Sequence, residues 1–570
     1  MTNDTDVKSA ANMLARWLDG CKNHPACSGP PAKLPRRLID LSLAGLPRLV
    51  ETNTIETTSV LPSYTTLSYC WGVPDRDAPP PRTTKATYES RTKGIEWAEL
   101  PILFQDAMLL TRALGCRYLW ADSLCIIQDD KQDWIEQSAT MADVYSLGYL
   151  TIAAVAATSP SASLFDERQA FVGHYYPHER ARIRVPAEFG PMATHAVDAP
   201  SATLAPVHVR HSHENTHGCV LASGGQRWSV ATPLLTRAWV VQERLLSRRI
   251  VFFTGSEMLW QCQEGFRCEC GDMDGFSAVL PRMQQARAEY QGIRPLDWRP
   301  EDRFIGKIQQ TLARLASGGC SAQQGRDLWP AVVKQYSNLA LTRESDRPYA
   351  IAGVARRIQE ATGDTYLAGL WLEDLPRGLL WTALPLRSTK GRRRPGVPSW
   401  SWMSRDDPDA RGRPWTLNSC TDNFRTDPRL TVVVEGTFCS KKKGDEFGAV
   451  VDGQVRLEAA MRRAVVTEPD DKLDGHFTLA FGDQDRGAAW HDVNLDCAFD
   501  ETEPVRWGDV VYCVLLGTDN RGGWIREESP GRALILREAE GRQGAYRRVG
   551  VSNHPLDLFA EAPVVVVTII

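Results

Sequence analysis

What this sequence lacks narrows its class before anything it contains. No stretch approaches the ~20 consecutive apolar residues that a helix needs to cross a membrane. The opening MTNDTDVKSAANMLARWLDG has neither the basic start nor the continuous apolar run of a signal peptide. The expectation is a cytoplasmic protein with no membrane span. A charge excess is missing too: 66 basic against 70 acidic residues leave a formal −4 over 570 residues. Nothing global therefore attracts nucleic acid or anionic lipid. No G-x-x-x-x-G-K-[ST] loop occurs, which excludes the ATP-driven switch built on that motif. There is no repeat of fixed period, and no disulfide framework is expected. The 14 cysteines are scattered, several within apolar runs such as Cys513 in VVYCVLL, and read as reduced, buried thiols.

What is present begins with length: 570 residues suggest two to four domains, each able to build a core. The chain is organised around Cys116 to Tyr145. Tyr118-Leu-Trp-Ala has the length and composition of a strand buried on both faces, and Asp122 follows where the strand stops. Ligands collect beyond the carboxyl ends of parallel strands, so Asp122, Ser123, Cys125 and Gln128 form a first candidate site. Asp129 and Asp130 can cap a helix that carries Trp134, Ser138, Met141 and Tyr145 on one face.

Upstream, Tyr64 to Gly72 alternates Leu67, Tyr69 and Trp71 with Thr66, Ser68 and Cys70, which is strand spacing. The Pro- and Arg-rich loop VPDRDAPPPRTTK is expected to face water. A helix from Pro101 to a stop at Gly115 then leads into the central strand. Tyr149-Leu-Thr-Ile-Ala-Ala-Val-Ala reads as a third strand. Thr236 to Ser247 reads as a helix with Trp239, Gln242, Glu243 and Leu246 on an apolar stripe. A partly buried Glu243 needs a partner, and Arg237, Arg244 and Arg248 are nearest in sequence. RRIVFF and EMLWQC are expected to form a hairpin.

Three groups of soft ligands stand out. Cys21, His24 and Cys27 are evenly spaced, but a tetrahedral site wants four ligands and no fourth is evident nearby, which leaves a compact turn beneath the first domain. His208, His211, His213, His217 and Cys219 crowd one hydrophilic loop whose spacing fits no standard finger. Cys262, Cys268 and Cys270 make a third, nonstandard set. No metal site is assigned from any of them.

Further on, MQQARAEYQG, RFIGKIQQTLARLA, LWPAVVKQYSNLAL and YAIAGVARRIQEAT show helical recurrence. Trp400 and Trp402 read as packing anchors between domains. Beyond Trp415 short strands dominate and argue for a sandwich or barrel-like module, with the last strand, VVVVTII, needing a partner. The boundaries expected are an N-terminal extension over 1–62, an α/β domain over 63–273 with an insertion at about 159–235, a helical region over 274–395 and a β-rich domain over 396–570.

YTTLSYCWG, RYLWADSLCIIQDD with DWIEQSATMADVY, and RAWVVQERLLSRRIVFF resemble, in order, the signature blocks of the fungal heterokaryon-incompatibility (HET) domain. Segments before and after them, from WLDGCKNHPAC to YRRVGVS, resemble parts of long HET proteins. The resemblance implies an α/β fold with a TIR-like open sheet core, and a cytosolic protein of non-self recognition and programmed cell death. Some TIR-type domains cleave NAD at its glycosidic bond, which makes NAD an implied substrate. One departure is Gln137, where HET sequences commonly carry Glu: it is expected on the inward stripe with Trp134 and Met141, while Glu136 points away.

Two readings follow. In the first, an enzyme crevice built from Tyr69, Trp71, Asp122, Cys125, Arg237 and Glu243, with Gln242 alongside, binds a nucleotide and cleaves an N-glycosidic bond. Asp122 and Glu243 are its candidate catalytic carboxylates, although an ion-paired clamp joining helix to sheet is the favoured reading of Glu243. Cys125 is an alternative nucleophile with no histidine near it in the signature, its apolar setting SLCII favouring a packing role. Tyr69, Trp71, Arg237 and Gln242 would bind the nucleotide. In the second, the domain is a non-catalytic module that signals by self-assembly or by engaging a protein partner. Other chemistry on the same fold, as in a biosynthetic pathway, stays open.

Overall fold

The computed structural model describes residues 4–42, 45–55, 60–73, 79–166, 220, 232–271, 273, 305–337, 339–384, 392–406, 416–419, 424–426, 438–441, 447–448, 450–467, 478–481, 493–495, 504–519 and 531–570. An N-terminal helix, α1 (Asp4–Cys21), is followed by a hairpin of β1 (Arg37–Asp40) and β2 (Arg48–Glu51). The strand β3 (Tyr64–Ser68) comes next, then the short α2 (Tyr88–Lys93) and α3 (Ile102–Ala113). Next are β4 (Tyr118–Trp120), α4 (Asp122–Cys125), α5 (Lys131–Leu147) and β5 (Leu150–Ala154). After the insertion, α6 (Val240–Leu246) leads into β6 (Arg249–Phe253), β7 (Met258–Cys262) and β8 (Phe266–Cys268).

All eight strands form one sheet in the order β2-β1-β4-β3-β5-β6-β7-β8. The four central strands are parallel and both edges are antiparallel hairpins. The central strands are buried on both faces, as the apolar run Tyr118-Leu-Trp of β4 anticipates, and the polar Thr65, Thr66, Ser68 and Thr151 of β3 and β5 are buried with them. From β3 the chain moves one way to β4 and then back past β3 to β5, so right-handed crossovers put α3 and α5 on opposite faces. Asp130 caps α5 by accepting from the backbone amides of Gln132 at 2.9 Å and Asp133 at 3.2 Å. Gly115 ends the α3 segment at φ +75°, a left-handed value that a side chain disfavours. The helix expected over Thr236 to Ser247 is shorter: a 3-10 turn (Pro233–Thr236) precedes α6, and Arg237 sits extended between them.

Of the helices α7 (Ile305–Ala316), α8 (Ala322–Ser337) and α9 (Tyr349–Thr362), α9 packs against α5 and α6, α7 against α6, and α8 against α7 and α9. Gly353 permits the closest approach, because a Cβ there would meet the Ala142 Cβ at 2.6 Å and the Gln242 Oε1 at 2.8 Å. The expected helix MQQARAEYQG lies outside the described residues. In the C-terminal part, the long strand Val450–Thr467 pairs with Val564–Ile569 over its first half and with Val510–Asp519 over its second. Through Gly531–Glu538 and Ala545–His554 the ring closes on itself, the barrel-like arrangement. The final strand thus finds two neighbours and avoids being an open edge. Trp400 and Trp402 are fully buried in the core shared by the helices and this barrel, which is the anchoring role expected of them.

Candidate active site

The carboxyl ends of β3 and β5 mark where the sheet reverses its order, the place where a doubly wound sheet leaves room for a ligand. Ser68 ends β3 opposite Ala153 of β5, and Tyr69 to Trp71 leave the sheet from there. The helix α6 brings Glu243 to this point, 8% exposed, with its Oε2 accepting from the Ser68 hydroxyl at 2.5 Å. The Tyr145 phenol of α5 also interacts with this carboxylate. From the end of β4, Asp122 accepts from the Trp71 indole N–H at 2.9 Å and from the Ser123 backbone N–H at 2.7 Å. Tyr69 donates to the Ser123 hydroxyl at 2.8 Å and fixes the same corner.

Arg237 donates to the Tyr69 carbonyl at 2.6 Å, and its charge acts on both carboxylates. Among the described residues no guanidinium hydrogen-bonds to either carboxylate. Burial therefore dominates. It pushes the Glu243 carboxyl up to about 7, against the Ser68 hydrogen bond and the charge of Arg237. Burial likewise raises Asp122, against Arg237 and its neutral donors. The loop before α2 is pinned to this corner by Thr83, whose N–H donates to the Ser123 carbonyl at 2.9 Å and whose hydroxyl donates to the Leu124 carbonyl at 2.6 Å. That loop places the exposed Arg82 over the Trp71 ring at 5.8 Å, so one of the basic residues expected simply in water stands beside the crevice.

The expected site residues separate into two groups. Tyr69, Trp71, Asp122, Arg237 and Glu243 converge. Cys125 does not: it is buried in the core on α4, and burial pushes its thiol up to about 12, which removes the thiolate a nucleophile needs. Gln242 is 1% exposed and lies against Gly353 of α9, with its amide nitrogen lacking a hydrogen-bond partner among the described residues. One helical position turns it from the crevice side that Glu243 occupies. Gln128 staples its own loop by donating to the carbonyls of Asp122 and Ile126, both at 3.0 Å. Of the three arginines offered for Glu243, Arg244 instead donates to Gln261 at 2.9 Å and Arg248 to the Gly29 carbonyl at 2.9 Å. Gln137 is buried and Glu136 half exposed, as helical geometry requires. The partners missed in the sequence are Ser68 and Tyr145. Ser68 is visible only as a hydroxyl at the strand end facing the same way as Thr66, and Tyr145 reads as core.

The soft ligands regroup. Cys21, His24 and Cys27 gain Cys262, while Cys268 and Cys270 gather with Glu257. Cys262 does not join Cys268 and Cys270, because Cys268 pairs with Leu259 on β7 and Cys262 lies three residues further along, ~10 Å away at strand rise. The His208, His211, His213, His217 and Cys219 group lies outside the described residues.

Residues 64–243 match the family model described as Heterokaryon incompatibility protein (HET). The chain carries a HET domain. The match opens on the first residue of β3 and closes on Glu243, so the HET segment holds the strand ends and α6 residues that meet at the two carboxylates. The comparisons with curated proteins and with solved structures returned no match. Among the described residues, no helix of this HET-domain protein is long and apolar enough to cross a membrane.

Proposed function

We propose that the crevice of this HET domain hydrolyses the N-glycosidic bond of a nicotinamide dinucleotide, in the service of non-self recognition and programmed cell death. The observation that carries the reading is the state of Glu243: a buried carboxylate at the sheet's switch point, held by a serine hydroxyl without a hydrogen-bonded cation, and lifted to about 7. A carboxylate so placed suits proton transfer at neutral pH. In the reaction the bond between ribose C1′ and the pyridinium nitrogen breaks, its electron pair leaves with neutral nicotinamide, and the sugar becomes oxocarbenium-like. Asp122 supplies negative charge to that state. Water forms the new C1′–O bond and its proton passes to Glu243. Trp71, partly exposed, offers a ring face to a base, and Arg82 is the cation available to the phosphates.

A second reading is favoured by one observation: Glu243 is 8% exposed and already hydrogen-bonded by Ser68, as a helix-to-sheet clamp would be. The domain would then act as a non-catalytic assembly module, which Gln137 in place of a carboxylate also suits. Release of nicotinamide from NAD by the purified full-length protein, dilute and concentrated, decides between them. Turnover by the wild type that Asp122→Asn and Glu243→Gln both abolish supports hydrolysis. Wild-type protein that releases none in either condition leaves the assembly module.

A further inference from the structure

The fourth ligand that the Cys21, His24, Cys27 turn lacks in sequence arrives from the far side of the HET segment. α1 ends at Cys21, a 3-10 turn (Pro25–Cys27) follows His24, and Ser28 holds this knuckle by donating to the carbonyls of His24 at 2.8 Å and Lys22 at 3.1 Å. Cys262 closes β7, with its own N–H bound to the Gly265 carbonyl at 2.9 Å, so its side chain is fixed by the turn into β8. The three Sγ atoms and one imidazole nitrogen all lie within 4.8 Å of one another, and Cys262 Sγ stands 3.5 Å from His24 Nδ1. A tetrahedral zinc with Zn–S of about 2.3 Å and Zn–N of about 2.0 Å sets its ligand atoms ~3.5–3.8 Å apart. All three cysteines are free thiols, and all three are buried.

We propose that Cys21, His24, Cys27 and Cys262 bind one Zn²⁺ as a closed structural site that fastens the end of α1 to the end of β7. Cys₃His is a donor set zinc favours, and four protein ligands leave no open position for catalysis. The surroundings suit the net negative charge of three thiolates around a dication. Arg249 donates to the Cys27 carbonyl at 2.5 Å and its guanidinium reaches the Cys21 sulfur. The three sulfurs lie within 4.8 Å of one another, close enough for one cation to bind them all. Zinc replaces the protons those sulfurs share. The site would join residues separated by the whole HET segment, making the N-terminal helix part of its frame.

The test is elemental analysis of the full-length protein, purified without chelator and then exchanged against excess zinc. About one equivalent is expected in the wild type, and below about a tenth in Cys27→Ser and Cys262→Ser. The double variant Cys268→Ser/Cys270→Ser should keep its zinc. Cobalt exchanged into the wild type gives a readout independent of variant folding: intense thiolate-to-cobalt charge transfer with tetrahedral d–d bands. Wild-type protein without zinc or that cobalt spectrum, zinc retained by Cys262→Ser, or a disulfide among these thiols in reduced protein would each overturn the proposal.

Discussion

Two buried groups of arginine and carboxylate lie on the same sheet and are built on opposite rules. In one, Arg37 on β1, 1% exposed, donates to Asp133 at 2.5 and 3.0 Å, to Glu51 at 2.8 Å and to the Cys125 carbonyl at 2.8 Å. Burial opposes its charge, and the hydrogen bonds to Asp133 and Glu51 more than offset that, so its pKa rises. In the other, Asp122 and Glu243 receive hydroxyl, indole and amide donors, while Arg237 spends its hydrogen bond on a backbone carbonyl. Matched charges make a clamp, whereas burial raises carboxylates denied a direct cation, Glu243 up to about 7. The difference separates a structural ion pair from the carboxylates to which we assign chemistry, although the residue types are the same.

The comparison breaks first at the crevice. Glu243→Gln and Asp122→Asn are each expected to lower NAD turnover by about 10²–10⁴-fold without lowering the unfolding midpoint below wild type, checked by nicotinamide release and urea denaturation. At the clamp the effect falls on stability instead. Arg37→Ala leaves Asp133 buried with only the half-exposed Arg36 to face it, and should cost about 3–5 kcal/mol in urea unfolding. Smaller again is Trp71→Phe, which keeps a ring but removes the 2.9 Å donor to Asp122. It should cost about 1–2 kcal/mol and lower turnover by less than Asp122→Asn does.

Much of the fold was legible because strands buried on both faces and helices with one apolar stripe carry distinct patterns, and Tyr118 to Tyr145 holds both. Asp122, Trp71 and Glu243 were legible for a related reason: each stands at or near the end of an element. Gln242 and Cys125 were misplaced because one helical step, or one turn of α4, carries a side chain from crevice to core. Ser68, the Arg37–Asp133 clamp and the arrival of Cys262 beside Cys21 were hidden, since each joins residues that only the folded sheet brings together. Spacing along a chain says nothing about such pairs.

The pH dependence of NAD turnover tests the central claim most directly. If Glu243 accepts the proton, turnover rises with pH as its carboxyl ionises, with an apparent pKa near 7 that Glu243→Gln removes. Because the folded-state pKa is raised, wild-type stability should move the other way. It is fullest below about 4.5 and lost as pH climbs through about 7, relative to the same variant. A wild-type profile with no break near neutrality, or one that Glu243→Gln leaves unchanged, would contradict the account.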